Sequence, residues 1–198
     1  MRELTPYDIF ISILSKNKPA AEAMIQGNSN YPNIFGMIHF YDTPFGGVLV
    51  SAEIYGLPDN RMNGNSMTDN SMNGNSTTAN QMPKSMIIKN SISSGFYGFH
   101  IHEFGDCTPP FNKTGDHYNP DKQPHPYHAG DMPPLLSNDG YACMIFYDKR
   151  LTIDDIVGKS VVIHSMRDDF TSQPSGDAGE KIACGVTHFL KSTAGIQN

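Results

Sequence analysis

The chain has 198 residues and carries 14 Lys and Arg against 20 Asp and Glu, a formal charge of −6. That balance argues against nucleic acid as the main partner, because gripping phosphates needs a basic face. No apolar run approaches ~18 residues, so nothing in the sequence reads as spanning a membrane.

Eighteen Gly and 14 Pro with no Trp favour one loop-rich β domain over a helical one. Residues 5–15 read as a short helix inside an N-terminal extension over 1–32. Thr5 can cap it, Pro6 suits its first turn, and Ile9, Phe10, Ile13 and Leu14 share a face. That face can pack on this chain or on a partner, so a homodimer stays open. The apolar stretch 9–14 is short and follows Glu3 and Asp8, which gives no export signal; a cytoplasmic location is the expectation. Residues 27–32 read as a linker into a main domain over 33–190.

Strand signals begin at Ile34. Runs 37–41 and 48–55 flank the turn text DTPFGG and suggest a hairpin. In the second run Leu49, Ser51 and Glu53 form the wetter face, and Val50, Ala52 and Ile54 the dry one. Residues 59–86 contain two near-copies of a ten-residue unit, MNGNSMTDNS and MNGNSTTANQ. Such Asn/Ser/Gly text cannot bury enough apolar surface to fold and reads as a disordered insertion. Further strands are expected over 96–102, 141–148, 160–164 and 182–190, with long polar loops over 115–134 and 165–181 and a tail over 191–198. Cys143 lies in the apolar run 141–146 and reads as a buried strand thiol. Short strands joined by two long loops indicate an all-β sandwich or barrel with its function on those loops.

Six of the eight histidines and one aspartate crowd this second half: His100, His102, His117, His125, His128, His164 and Asp131. His100 and His102 are two apart on a strand, so they share a face. With His117 and His164 they offer four nitrogens that suit Cu(II). His125, His128 and Asp131 step by three and, with His117, offer the three nitrogens and one oxygen of a tetrahedral zinc site. The two ring nitrogens of His117 allow it to serve both ions. His39 and His188 lack such company and read as ordinary residues.

The segments GFHIHEFGDC, GDHYNP, HAGD, DDIVGKSVVIH and GDAGEKIACGV together resemble the copper/zinc superoxide dismutase family from about residue 33 to 190. The resemblance implies a flattened barrel or sandwich of eight antiparallel Greek-key strands. It implies one copper ion on His100, His102, His117 and His164, and one zinc ion on His117, His125, His128 and Asp131. His117 would be the bridging imidazolate and Asp168 the carboxylate linking a copper ligand to a zinc ligand. Cys107 and Cys184 would be disulfide-bonded. The substrate would be the superoxide anion, converted to oxygen and hydrogen peroxide, with a copper donor as a further partner. Catalytic roles fall to His117 and to Lys181, which stands where the family has an arginine and keeps the charge without the planar fork.

Departures accompany the match. Only Pro126 and Tyr127 separate His125 from His128, Asp177 and Glu180 lie close before Lys181, and the insertion and extension have no counterpart. The runner-up reading is a non-enzymatic copper/zinc-binding or metal-delivery protein on the same fold. The complete set of copper-matching histidines favours the enzyme over it.

Overall fold

The computed structural model describes residues 5–58 and 94–190. The expected insertion over 59–86 and the tail over 191–198 lie outside the described residues. Nine strand segments are present among the described residues: β1 Ala21–Gly27, β2 Phe35–Asp42, β3 Val48–Tyr55, β4 Ser94–Tyr97, β5 Phe99–His102, β6 Leu135–Asn138, β7 Ala142–Asp148, β8 Ser160–His164 and β9 Lys181–Phe189. Seven form one antiparallel sheet in the order β5-β8-β9-β1-β2-β3-β7, and β4 pairs with β6.

The two sheets are joined at both ends. Only Gly98 separates β4 from β5, and a two-residue turn closed by Asn138 and Tyr141 joins β6 to β7. The ring is thus closed by chain continuity, as a barrel that curls its sheet to remove open edges. The strand expected over 96–102 is β4 plus β5, and counting them as one gives the eight strands expected. Gly98 is where the strand leaves β6 for β8: its amide donates to the Met166 carbonyl at 2.7 Å, and its carbonyl accepts from His164 at 2.8 Å.

Two expectations are corrected here. Residues 21–27 are not extension but a central strand, paired with both β2 and β9. Ala21, Ala23 and Ile25 point into the core and Glu22, Met24 and Gln26 outward, with the period of two that a half-buried strand needs. The barrel domain therefore starts at residue 21 rather than 33. Residues 27–32 are no linker but part of a tight β1–β2 turn. The Gly27 amide donates to the Ile34 carbonyl, and a side chain on Gly27 would collide with Tyr31.

Helix α1, Pro6–Lys16, starts on a capping box in which Thr5 and Asp8 exchange side-chain and backbone hydrogen bonds. Its Ile13 is buried against Tyr41 and Leu49, so the apolar face packs on this chain. That contact buries Leu49, read above as facing the wetter side. The barrel interior is filled by side chains such as Ile38, Phe40, Val50, Ile54, Phe99 and Ile101, all without solvent exposure. Cys143 is exposed, not buried. It pairs with Glu53 across β3 and β7 and shares that residue's outward phase, while Ala142 takes the inward one.

Candidate metal centre

Strand β5 supplies two rigidly spaced imidazoles, and β8 beside it supplies a third, His164, just after an irregularity between Ile163 and His164. The long loop then runs along β5 by backbone bonding. Tyr118 N donates to Ile101 O at 2.8 Å, Ile101 N to Gly130 O at 2.9 Å, and Gly130 N to Tyr118 O at 2.8 Å. Gly130 permits this approach, since a Cβ there would sit 2.3 Å from Ile101 O. The result places His117 opposite His102 and Asp131 opposite His100.

Two quartets form. Ligand-capable atoms of His100, His102, His117 and His164 lie within 4.8 Å of one another, as do those of His117, His125, His128 and Asp131, and all seven residues are buried. Every residue proposed from sequence as a ligand is therefore in one of the two groups, and His117 is in both. His39 and His188 are in neither: His39 lies 3.8 Å from Glu22 on the outer face, and His188 is exposed on β9.

The hydrogen bonds determine which nitrogen each ring offers. His102 Nδ1 donates to Gly115 O at 2.9 Å and His164 Nδ1 to Gly179 O at 3.2 Å, which leaves both Nε2 atoms as lone pairs. These two Nε2 atoms face each other at 3.3 Å. Asp168 accepts from His100 Nε2 at 2.7 Å and from His125 Nε2 at 2.9 Å, and so links the two quartets. The Nδ1 atoms of His100 and His125 are left for ligation. His117 donates Nδ1 to Asp131 Oδ1 at 2.7 Å and presents Nε2 to the first quartet.

These donors fit metal ions. His100 Nδ1, His117 Nε2, His125 Nδ1 and His128 Nδ1 are buried without any hydrogen-bond partner. His125 Nδ1 and His128 Nδ1 do lie 3.1 and 3.3 Å from Asp131 Oδ2, but neither is aligned to bond with it. Unpaired buried nitrogens and close lone pairs cost free energy that a cation would recover. Burial pushes His100 down to about 4 and His164 to about 3, so both lone pairs are free at neutral pH. Burial raises the Asp168 carboxyl, but hydrogen bonds from His100, the Phe170 amide and His125 outweigh it and hold the group at about 2.

An open cleft of about 520 Å³ leads to this centre, lined by His102, His117, His164 and Lys181. Lys181 Nζ donates to Thr114 Oγ1 at 2.8 Å and Gly115 O at 2.9 Å. Those two bonds fix an ammonium beside the first quartet. Glu180, next to Lys181 in sequence, is turned to accept from Tyr31 Oη at 2.8 Å. The acidic residues lining the cleft are Glu103 and Asp116. Cys107 and Cys184 are disulfide-bonded across 77 residues, tying the loop after β5 to β9.

Sequence reasoning missed several supports. Gln173 clamps the His125 backbone, donating Nε2 to its carbonyl at 2.7 Å and accepting from its amide at 3.1 Å. Arg150 bonds the loop carrying His128 and Asp131. Gly98 is a further support. Gly98 has no room for a Cβ, which would meet His164 Cβ at 3.2 Å and Ala178 Cβ at 2.8 Å.

Comparison with known proteins agrees with this geometry. Residues 71–187, over half of the chain, match the family model described as copper/zinc superoxide dismutase (SODC). The chain is 34% identical to the copper chaperone for superoxide dismutase of Sus scrofa over 132 residues, 59% of this chain and 47% of that protein. It is 32% identical to the Homo sapiens chaperone over the same shares. It is 34% identical to Cu-Zn superoxide dismutase 3 of Arabidopsis thaliana over 119 residues, 52% of this chain and 73% of that protein. The match thus spans about half the length of the chaperones and most of the plant protein. The chain belongs to the copper/zinc superoxide dismutase family.

Proposed function

We propose that this chain dismutes superoxide, turning two superoxide anions and two protons into oxygen and hydrogen peroxide. His100, His102, His117 and His164 would hold copper, and His117, His125, His128 and Asp131 would hold zinc. One observation carries the reading: His117 offers Nε2 to an all-imidazole quartet and Nδ1 to a quartet with a carboxylate. Imidazole-only sites suit copper, and three nitrogens with one oxygen suit zinc. Copper bound there would supply a one-electron couple, able to accept an electron from one superoxide and return it to the next.

The protein's own part is positioning, charge and protons. Lys181, held by Thr114 and Gly115, places a positive charge at the cleft floor, where a small anion would stop next to His117. His117 lines the cleft, and its Nε2, without a hydrogen-bond partner, can hold a proton for delivery to the peroxide product. Asp168 fixes the orientation of His100 and His125 together, which keeps the two sites in register. A donor protein would supply the copper.

Metal-delivery is the second reading, favoured by the similarity to copper chaperones. Loading the purified full chain with copper and zinc separates the two. About one copper and one zinc per chain, with cyanide-sensitive dismutation, is the expected result. Both metals without turnover would move the assignment to metal delivery, and zinc alone would overturn both.

A further inference from the structure

Asp131 and His128 sit on a short turn, not on a strand, and a turn must be held if its side chains are to meet a metal in one geometry. The inner side of this turn is fixed by itself: His128 N donates to Asp131 Oδ2 at 2.9 Å, and Asp131 N to His128 O at 3.2 Å. The outer side is fixed by a guanidinium. Arg150 Nη1 donates to His128 O at 2.8 Å and Nη2 to Asp131 O at 2.5 Å. The same head donates Nε to Asp148 Oδ1 at 3.1 Å and Nη2 to Asp148 Oδ2 at 2.7 Å. Asp148 is buried at the end of β7, so the clamp is anchored on the sheet.

We infer that Arg150 is a positioning residue for the second quartet, holding the His128–Asp131 turn in ligand geometry before any metal arrives and thereby setting that site's affinity. This rests on reading the second quartet as a metal site and does not depend on turnover. A positive charge close to a cation site would ordinarily oppose binding, but Asp148 pairs with it, and the remaining contribution is geometric. Both carbonyls are reached because the guanidinium is a planar fork; an ammonium is a point and cannot span them together with Asp148. Charge alone therefore does not do the work, which makes lysine the informative replacement.

The test uses the full chain stripped of metal, with Co(II) as a spectroscopic probe of the second quartet and Cu(II) as a probe of the first. Arg150→Gln and Arg150→Lys should each weaken Co(II) binding about tenfold or more, with Cu(II) affinity unchanged. Amide exchange in the metal-free protein should quicken at residues 128–131 in both variants. If Arg150→Gln does not fold, Arg150→Lys and Asp148→Asn are read in the same way. Wild-type Co(II) affinity and exchange in the variants, or full rescue by lysine, would overturn the proposal alone. Failure of the wild type to bind Co(II) would overturn the reading of the quartet and the proposal with it.

Discussion

Gly176 has φ +70°, and a Cβ there would lie 2.0 Å from Asp168 Oδ1 and 2.7 Å from His125 Nε2. Neither atom is free to retreat, because Asp168 is bonded to His100, His125 and the Phe170 amide. Gly176→Ala should therefore break the link between the quartets and cost about 2–4 kcal/mol, from left-handed backbone strain and a lost buried hydrogen bond. Denaturant unfolding of the metal-free variant checks this, and an unchanged midpoint would show that Asp168 is not locked as described. The same buried groups make the metal-free protein acid-labile. His100 falls from 6.5 to about 4 in the folded state, so between those values the unfolded chain binds more protons and stability drops as pH falls. That is on the order of 3 kcal/mol for this one buried ring. His164 acts in the same direction. Asp168, held at about 2 against an ordinary 3.8, adds a further loss below pH 4. Unfolding midpoints at pH 7.5, 5.5 and 4.5 should decline in order; a midpoint that rises toward pH 4.5 would contradict the burial of these rings.

Helix α1 behaves as a clasp on the outside of the barrel. Phe10 stacks on Tyr147 with ring centroids 5.3 Å apart, and Ile13 is buried over Tyr41 and Leu49. Ile13→Ala should cost about 2 kcal/mol, at the low end for a buried aliphatic because the site is peripheral. Copper and zinc content should not change, and lost metal would mean that α1 supports the centre as well. This helix was legible because its cap, proline and apolar spacing all agree. Seven of the nine strand segments were legible from β-branched and aromatic runs, β4 and β5 as one run. Strands β1 and β6 were not. AEAMIQG has one β-branched residue, Ile25, among residues mostly of low strand propensity, and LLSN is four residues long, so pairing with neighbours decides both. Leu49 was misplaced because a strand's period assigns faces but does not show that a helix covers the outer one. Cys143 was misplaced because the apolar run 141–146 hid an alternation that only its pairing with Glu53 fixes. The seven candidate ligands were readable from chemistry and spacing, whereas Arg150 and Gln173 act by touching backbone, which leaves no trace in residue type.

Charge at the cleft does not follow the overall sign, since two lysines there balance two carboxylates. The chain carries −6, yet the cleft over the first quartet is lined by Lys122 and Lys181 with Glu103 and Asp116. Lys181 lies deep, half-buried and hydrogen-bonded, while Lys122 is exposed on the loop between His117 and His125. A low-dielectric cleft strengthens the near charge relative to the distant ones, so the field at the floor should follow Lys181 and not the net charge. Long-range guidance is screened within about 10 Å at 0.1 M salt, so the two lysines should separate by salt dependence. In the copper- and zinc-loaded protein, kcat/KM for superoxide should fall with ionic strength despite the negative total. Lys122→Gln should flatten that slope with little effect at high salt, because an exposed charge acts only at a distance. Lys181→Gln should lower the rate several-fold at every salt concentration, because it also positions the anion. Lys16→Gln, on α1 away from the cleft, should leave the slope unchanged. A rate that rises with added salt would mean that Glu103, Asp116 and the overall charge prevail, and capture would then owe nothing to Lys122.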